Sequence, residues 1–265
     1  MLKMLKIKEI KAKIGFIGSI RENILKDLDF AIENKFDYYE VGSIAKDYHL
    51  KPEVIRQIRK ISKENNISLT LHIPFFLPIA SLIPEISAAS IKFVQKEIIL
   101  ANKIGAKKIT IHSGREEGLS KKIVVEQFRI LIKNLKMITR FGKKYGIKIG
   151  LENAGICENA NDLLNVINSV KGLGIVFDSG HANLSNLEPI KYFKKVKQSV
   201  ISTHFHDNDG KSDQHVLLGE GNIDFKGLLK ECKNSNYYGP FILELFPREN
   251  VLKGRKRFLK LWNQI

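Results

Sequence analysis

Short apolar stretches alternate with longer amphipathic ones along the whole chain. The apolar stretches are rich in β-branched residues and contain few polar positions, which is typical of strands buried on both faces of a parallel sheet. They predict strands over residues 14–18, 38–42, 68–74, 108–114, 148–154, 173–179, 201–207 and 241–246. We therefore expect a parallel sheet that is covered on both faces.

The stretches between the predicted strands carry apolar residues at helical spacing. In the first stretch, Leu25, Leu28 and Ala31 lie on one face of a helix, and Pro52 stands where a proline commonly starts one. The same spacing predicts helices over residues 22–34, from residue 52 onward, and over 87–104, 121–145, 161–170, 189–197, 225–233 and 250–263. Each predicted strand is thus followed by a helix.

Eight strands alternating with eight helices is the arrangement of a (β/α)₈ TIM barrel, an α/β fold. An open doubly wound sheet is the alternative, but it normally has fewer strands. No Gly-x-Gly-x-x-Gly motif follows the first strand, and no proline- or glycine-rich linker divides the chain. We predict a single (β/α)₈ barrel domain over residues 1–265.

The chain is strongly basic, with a formal net charge of +16 from 44 Lys and Arg against 28 Asp and Glu. Such a charge attracts nucleic acid phosphates regardless of base sequence. Most of the excess is Lys, however, and the lysines are spread along the whole chain. We interpret them mainly as the solvated outer faces of the barrel helices.

The two cysteines, Cys157 and Cys232, cannot form a disulfide framework, which favours a reducing cytoplasm. Lysines interrupt the N-terminal apolar positions too often for a signal peptide. The uncharged stretch over residues 65–85 contains three prolines, so it does not predict a transmembrane helix. We expect a cytoplasmic protein without a membrane partner.

Acidic residues and histidines stand at six successive strand ends, and the active sites of TIM barrels lie at this end of the strands. The strand-end residues are His72, His112, Glu152, Asp178, His204 with His206, and Glu244; His181, Asp213 and His215 follow in the adjoining loops. Converging carboxylates repel one another unless a cation neutralises them. Mixed imidazole and carboxylate ligands suit Zn²⁺ or Mn²⁺, so we predict a divalent-metal site.

With these strand-end motifs the sequence resembles the xylose isomerase-like barrel superfamily. Its two relevant branches are the sugar (phosphate) isomerases and epimerases and the endonuclease IV type of abasic-site endonucleases. The resemblance implies a shared metal site whose ligands here are Glu152, Asp178, His204 and Glu244. His204 is assigned rather than His206 because it occupies the ligand position of the resembled His-x-x-Asp turn.

The endonuclease branch adds two further metal ions to this shared site. The resemblance implies that His72 and His112 would hold one of them together with Glu152. The other would be held by His181, Asp213 and His215. Every one of these positions carries a suitable residue, so the resemblance implies one to three Zn²⁺ or Mn²⁺ ions per chain.

Other positions depart from the endonuclease pattern. Phe75 and Pro78 stand where that pattern has Tyr and Asn, and Gly180 stands where it has Cys. The loop over residues 208–215 is shorter than its endonuclease counterpart. The stretches over residues 206–210 and 219–224 are more similar to the isomerase and epimerase branch.

The resemblance favours a metal-dependent isomerase or epimerase of a small sugar or sugar phosphate. The ion would stabilise an enediolate, while Glu152 and Glu244 would remove and return the proton next to the carbonyl. Arg115 and Arg248 would hold a phosphate or carboxylate group of the substrate. The expected substrate contacts are Glu40, Arg115, His206 and Arg248.

The alternative is an abasic-site endonuclease in which a trinuclear zinc site hydrolyses a DNA phosphodiester. Glu152 would then bridge two ions and align the attacking hydroxide. Phe75, Phe76 and Lys211 would contact the DNA. A metal-stabilised binding protein is a third hypothesis, but loss of activity usually erodes the ligand set, and here every ligand position is filled.

Overall fold

A computed structural model describes residues 11–18, 23–42, 50–114 and 120–265. Within these ranges, parallel strands close into a barrel in chain order, and the first strand pairs with the last. The strands are β1 Ile14–Ile17, β2 Tyr38–Gly42, β3 Ser68–His72, β4 Lys108–Ile111, β5 Lys148–Glu152, β6 Gly174–Asp178, β7 Val200–Phe205 and β8 Phe241–Leu243. The predicted (β/α)₈ barrel is confirmed.

Helices connect the strands around the outside of the barrel. Their bounds are α1 Ile24–Glu33, α2 Pro52–Glu64, α3 Pro84–Ile104, α4 Lys121–Lys144, α5 Ala160–Ser169, α6 Ser179–Leu184, α7 Pro189–Val196, α8 Phe225–Asn234 and α9 Arg248–Trp262. Pro52 is the first residue of α2, as predicted. No helix in the described ranges combines the length and the apolar character needed to cross a membrane.

The observed strands start within one residue of the predicted positions but end up to three residues earlier. The reason is that the chain stays buried beyond the last strand pair, as at Leu245 after β8. The hydrophobic pattern does not predict helix α6, because six residues are too few for a periodic signal. The Asp178 side chain starts this helix by accepting a hydrogen bond from the His181 backbone N–H at 2.6 Å.

Helix α9 closes the barrel through an aromatic cluster around Phe241 of β8. The Phe241 ring lies 5.5 Å from Phe205, 5.0 Å from Phe258 and 5.4 Å from Trp262, measured between ring centroids. All four side chains are buried. Because β7, β8 and α9 share this cluster, the last strand is held in the register that brings its C-terminal end to the barrel mouth.

Candidate metal centre

The barrel register brings the predicted strand-end residues together at one mouth. Asp178 at the end of β6 is aligned with His204 of β7, and Gly42 at the end of β2 with His72 of β3. The mouth holds a pocket of about 680 Å³. Its described lining consists of His72, Phe75, His112, Gly114, Glu152, Ala154, Gly155, His181, Asp213, Gln214, His215, Glu244 and Phe246.

Glu152 lies at the centre of this mouth and is surrounded by imidazoles. Its Oε2 atom is 3.0 Å from His112 Nε2, 3.4 Å from His72 Nε2 and 3.2 Å from His204 Nδ1. Its Oε1 atom is 3.0 Å from His181 Nδ1. Burial raises the pKa of Glu152, but the charges of His112 and His204 outweigh this effect and hold the pKa well below its usual range. Glu152 is therefore an ionised carboxylate in a buried position.

The four residues assigned to the shared metal site form one compact group. Glu152, Asp178, His204 and Glu244 each offer one ligand atom, and these atoms all lie within 4.8 Å of one another. His204 Nδ1 is 3.1 Å from Glu244 Oε2 and 3.2 Å from Glu152 Oε2, so the imidazole joins the two carboxylates. This group has the size and the donor types of a divalent-cation site.

Glu40 lies beneath this group rather than in the pocket wall. Its Oε1 atom is 2.8 Å from His204 Nε2, and its Oε2 atom accepts a hydrogen bond from Thr70 at 2.5 Å. Both Glu40 and His204 are fully buried. The expected substrate contact of Glu40 is therefore replaced by a contact that orients His204, because a carboxylate on Nε2 leaves Nδ1 facing the pocket.

A second group contains His72 and His112 together with Glu152, as the resemblance implied, and its ligand atoms also lie within 4.8 Å of one another. His72 Nδ1 donates a hydrogen bond to the carbonyl oxygen of Ile73 at 2.7 Å. This bond leaves His72 Nε2 without its proton in the neutral ring, so it can act as a ligand.

A third group differs from the expected one. Its members are His206, Asp213 and His215, whereas the resemblance assigned His181 to this position. His181 lies between the groups instead, with Nδ1 3.0 Å from Glu152 Oε1 and Nε2 3.4 Å from Asp213 Oδ2. His206, expected to contact the substrate, is fully buried and does not line the pocket among the described residues.

Buried atoms without hydrogen-bond partners test whether the centre fits a metal. At the mouth, such atoms are His112 Nε2, Glu152 Oε2, Asp178 Oδ2, His181 Nδ1, His204 Nδ1 and both ring nitrogens of His206. They lie close to one another, but their geometry is not that of hydrogen bonds. A buried polar atom without a partner is costly, and a coordinated cation removes this cost. The residues present therefore fit a divalent metal.

Arg115 and Arg248 were both expected to contact an anionic group of the substrate. Arg248 forms an ion pair with the buried Asp27, through Nη2 at 2.6 Å and Nε at 3.1 Å. Asp27 also accepts a hydrogen bond from Tyr39 at 3.0 Å. The guanidinium expected to hold a substrate anion thus joins α9 to α1. Arg115 lies outside the described residues.

The described lining of the mouth contains no Lys or Arg side chain. A basic groove of about 700 Å³ lies at the opposite end of the barrel, where β5 and β6 begin, and includes Lys136, Arg140, Lys143, Lys148 and Lys171. The described lining of the mouth and this groove thus differ in charge: the groove gathers Lys and Arg, and the mouth gathers His, Asp and Glu.

Asp207, which orders the loop after β7, was not identified as a positioning residue from the sequence. Asp207 accepts hydrogen bonds from the backbone N–H groups of Asn208, Gly219, Gly221 and Ile223 at 2.8 to 3.2 Å. These bonds fold the loop that carries Asp213 and His215 over the mouth. The Gly-x-Gly spacing at Gly219 and Gly221 was the available signal, since a Cβ at Gly221 would meet the Asn208 carbonyl oxygen.

Comparisons with known proteins agree with this geometry. The chain is 27% identical, over an alignment of 272 positions, to an uncharacterized protein of Methanocaldococcus jannaschii, covering 97% of this chain and 92% of the other. It is 27% identical over 204 residues to a probable endonuclease 4 of Aquifex aeolicus, covering 68% and 71%. The solved structure of a D-tagatose 3-epimerase-like protein is similar at a TM-score of 0.84 and 28% identity, covering 95% and 98%.

A match to a family sequence model identifies the protein family of this chain. The model described as a xylose isomerase-like TIM barrel matches residues 28–262, which is most of the chain. The match spans β2 to β8 and every described residue of the candidate metal centre. This chain belongs to the xylose isomerase-like TIM barrel family.

Proposed function

We propose that this protein is a divalent-metal-dependent isomerase or epimerase of a small sugar. The observation that carries the proposal is the convergence of two carboxylates at the base of the mouth pocket. Glu152 Oε2 and Glu244 Oε2 lie 3.2 and 3.1 Å from the same atom, His204 Nδ1, and both residues line the pocket. Two carboxylates facing one small ligand can remove a proton and return it.

Glu152 and Glu244 would exchange the proton on the carbon next to the sugar carbonyl. Burial raises the pKa of Glu244, but the charge of His204 outweighs it and holds the pKa below its usual range. Both carboxylates are therefore ionised at neutral pH, which is the state that can accept a proton. A divalent cation held by Glu152, Asp178, His204 and Glu244 would act as a Lewis acid and stabilise negative charge on the substrate oxygens.

The size and composition of the pocket favour a small sugar. Its volume of about 680 Å³ lies in the range of small-molecule sites. Phe75 and Phe246 supply apolar surface at the rim, against which the C–H faces of a sugar can pack. The similarity to a D-tagatose 3-epimerase-like protein over 95% of the chain supports the same substrate class.

An abasic-site endonuclease is the second candidate. The observation that favours it is that further histidine–carboxylate groups lie beside the first one, among them His72 and His112 with Glu152, as a multinuclear site requires. The similarity to a probable endonuclease 4 supports it as well. The basic groove counts against it, because the Lys136, Arg140 and Lys143 side chains that it gathers lie at the other end of the barrel.

Solvent deuterium exchange tests the proposal whichever sugar is formed as product. The protein, loaded with Zn²⁺ or Mn²⁺, is incubated in D₂O with a panel of ketohexoses that includes D-tagatose and D-fructose. We expect NMR to show deuterium at the carbon next to the carbonyl of at least one sugar, and no exchange with the E244Q variant. Absence of exchange with every sugar, together with nicking of a duplex that contains an abasic site, would establish the endonuclease instead.

A further inference from the structure

His206 is a buried imidazole without a hydrogen-bond partner. Its side chain is fully buried, and neither ring nitrogen forms a hydrogen bond within the described part of the chain. A neutral imidazole has one donor and one acceptor, and leaving both unsatisfied in the interior is costly. The environment of His206 therefore points to a ligand that the ring would bind.

The ring of His206 is directed at carboxylates of the mouth. Its Nε2 atom lies 3.1 Å from Asp178 Oδ1 and 3.6 Å from Asp213 Oδ1. The ring also stacks on His215, with 3.8 Å between centroids and 11° between planes. His215 Nε2 in turn lies 3.1 Å from Asp213 Oδ2. Two parallel imidazoles thus direct one nitrogen each toward the two oxygens of Asp213.

The position of the His206 ring depends on Gly180. A Cβ atom built at Gly180 would lie only 1.9 Å from His206 Cε1 and 2.5 Å from His206 Nε2. The imidazole therefore fills the volume that any side chain at position 180 would occupy. Gly180 departs from the endonuclease pattern, which has Cys at this position, and this departure leaves the volume that the His206 ring fills.

We propose that the third group, His206, Asp213 and His215, binds a divalent cation of its own. His206 is one of its ligands, and Gly180 provides the space for the His206 ring. The ligand atoms of these three residues lie within 4.8 Å of one another. Two imidazoles and one carboxylate form a donor set that suits Zn²⁺, Co²⁺ or Mn²⁺. The inference rests on the proposed function only in taking the mouth as a metal centre.

His215 and Asp213 are already oriented for such a cation. His215 Nδ1 donates a hydrogen bond to the carbonyl oxygen of Glu244 at 3.1 Å, which leaves Nε2 as the ligand atom. Asp178 belongs to the first metal group and lies 3.1 Å from His206 Nε2. The cation of the third group would therefore lie next to a cation held by Glu152, Asp178, His204 and Glu244, on the side of the loop after β7.

Metal counting on three variants tests the inference. The protein is stripped with a chelator and titrated with Zn²⁺; ions per chain are measured by elemental analysis and affinities by calorimetry. H206N removes the imidazole and keeps a polar side chain. G180A changes no ligand but forces the ring away, and alanine is otherwise favourable in a helix such as α6. H181N tests the competing assignment, because the endonuclease pattern gives His181 as the ligand at this site.

We expect H206N and G180A each to bind one Zn²⁺ fewer than the wild type, or to bind it at least about 100-fold more weakly. H181N should keep the ion. In Co²⁺-loaded protein, the visible absorption of one site should disappear in H206N and G180A, while that of the first site remains. Circular dichroism checks that each variant is folded.

The outcomes separate this inference from the proposed function. Wild-type stoichiometry and affinity in both H206N and G180A would overturn the role of His206. Loss of the ion in H181N alone would overturn it too and would assign the site to His181. A wild-type protein that binds no Zn²⁺, Co²⁺ or Mn²⁺ would contradict the proposed function as well.

Discussion

His204 Nε2 lies 2.8 Å from Glu40 Oε1, and both side chains are completely buried beneath the mouth of the barrel. Glu40 is in turn held by Thr70 of the neighbouring strand at 2.5 Å. Carboxylate partners of this kind fix the orientation of a metal-binding imidazole and raise its basicity. The pair thus connects the barrel interior to the candidate metal centre.

Replacing Glu40 by leucine should weaken metal binding without removing any ligand of the first group. We expect the affinity for Zn²⁺ to fall about 10- to 100-fold, because His204 Nε2 loses its acceptor and the ring can reorient. Competition with a chromogenic chelator measures this affinity. D37N is the control, since Asp37 pairs with Lys13 just before the start of β2. An unchanged affinity in E40L would contradict the role of Glu40.

Replacing Glu244 by glutamine should abolish proton exchange with the sugar substrate. An amide cannot accept the proton, so we expect the rate of deuterium incorporation to fall at least about 100-fold. The measurement is NMR in D₂O, with metal content determined on the same sample. E64Q, an exposed change in α2, should exchange at the wild-type rate. Equal rates in E244Q and wild type would remove Glu244 from the mechanism.

The ion pair between Arg248 and Asp27 should contribute to stability rather than to substrate binding. Asp27 is buried, so R248A leaves a buried carboxylate without its cation, and we expect the free energy of unfolding to fall by about 3 kcal/mol. Urea unfolding measures the change. R129A breaks an exposed pair with Glu126 and should cost less than about 1 kcal/mol. A similar small loss in R248A would show that the buried pair is unimportant.

Lys108 should make the unfolding free energy depend on pH above neutrality. Burial, reinforced by the nearby charge of Lys148, lowers the pKa of Lys108 to about 8, below its usual 10.5. Between pH 8 and 10.5 the folded protein releases this proton while the unfolded chain still holds it, so stability rises with pH in this window. Below pH 8 both states are protonated and the penalty is constant.

Urea unfolding of the wild type and K108M at several pH values isolates this effect. The difference in unfolding free energy between wild type and K108M should shift in favour of the wild type by about 2 kcal/mol from about pH 7 to about pH 10. K148M should move the window to higher pH, because it removes the repulsion that lowers the pKa of Lys108. A difference that does not change with pH would show that Lys108 titrates normally.

Residue patterns predict some features of the site and do not predict others. Strand-end positions together with the family resemblance assign the ligand group Glu152, Asp178, His204 and Glu244, and the structure brings these side chains to one point. The same patterns predict Glu40 and Arg248 in the substrate pocket, and the structure gives both of them other partners. For Glu40 the sequence shows only a carboxylate near the end of β2. Whether it meets a substrate or His204 depends on the direction of the side chain inside the barrel.

The sequence by itself determined the barrel, because the order of apolar and polar residues along the chain shows the alternation of buried strands and amphipathic helices. It also determined which residue types stand at the strand ends, and hence the prediction of a divalent-metal site at the mouth. Only the tertiary structure decided which of these side chains meet: His204 with Glu40, Arg248 with Asp27, and His206 with Asp213 in the space left by Gly180. The first two pairings join residues far apart in the chain, the third joins residues of one loop, and the geometry of all three follows from the register and packing of the closed barrel.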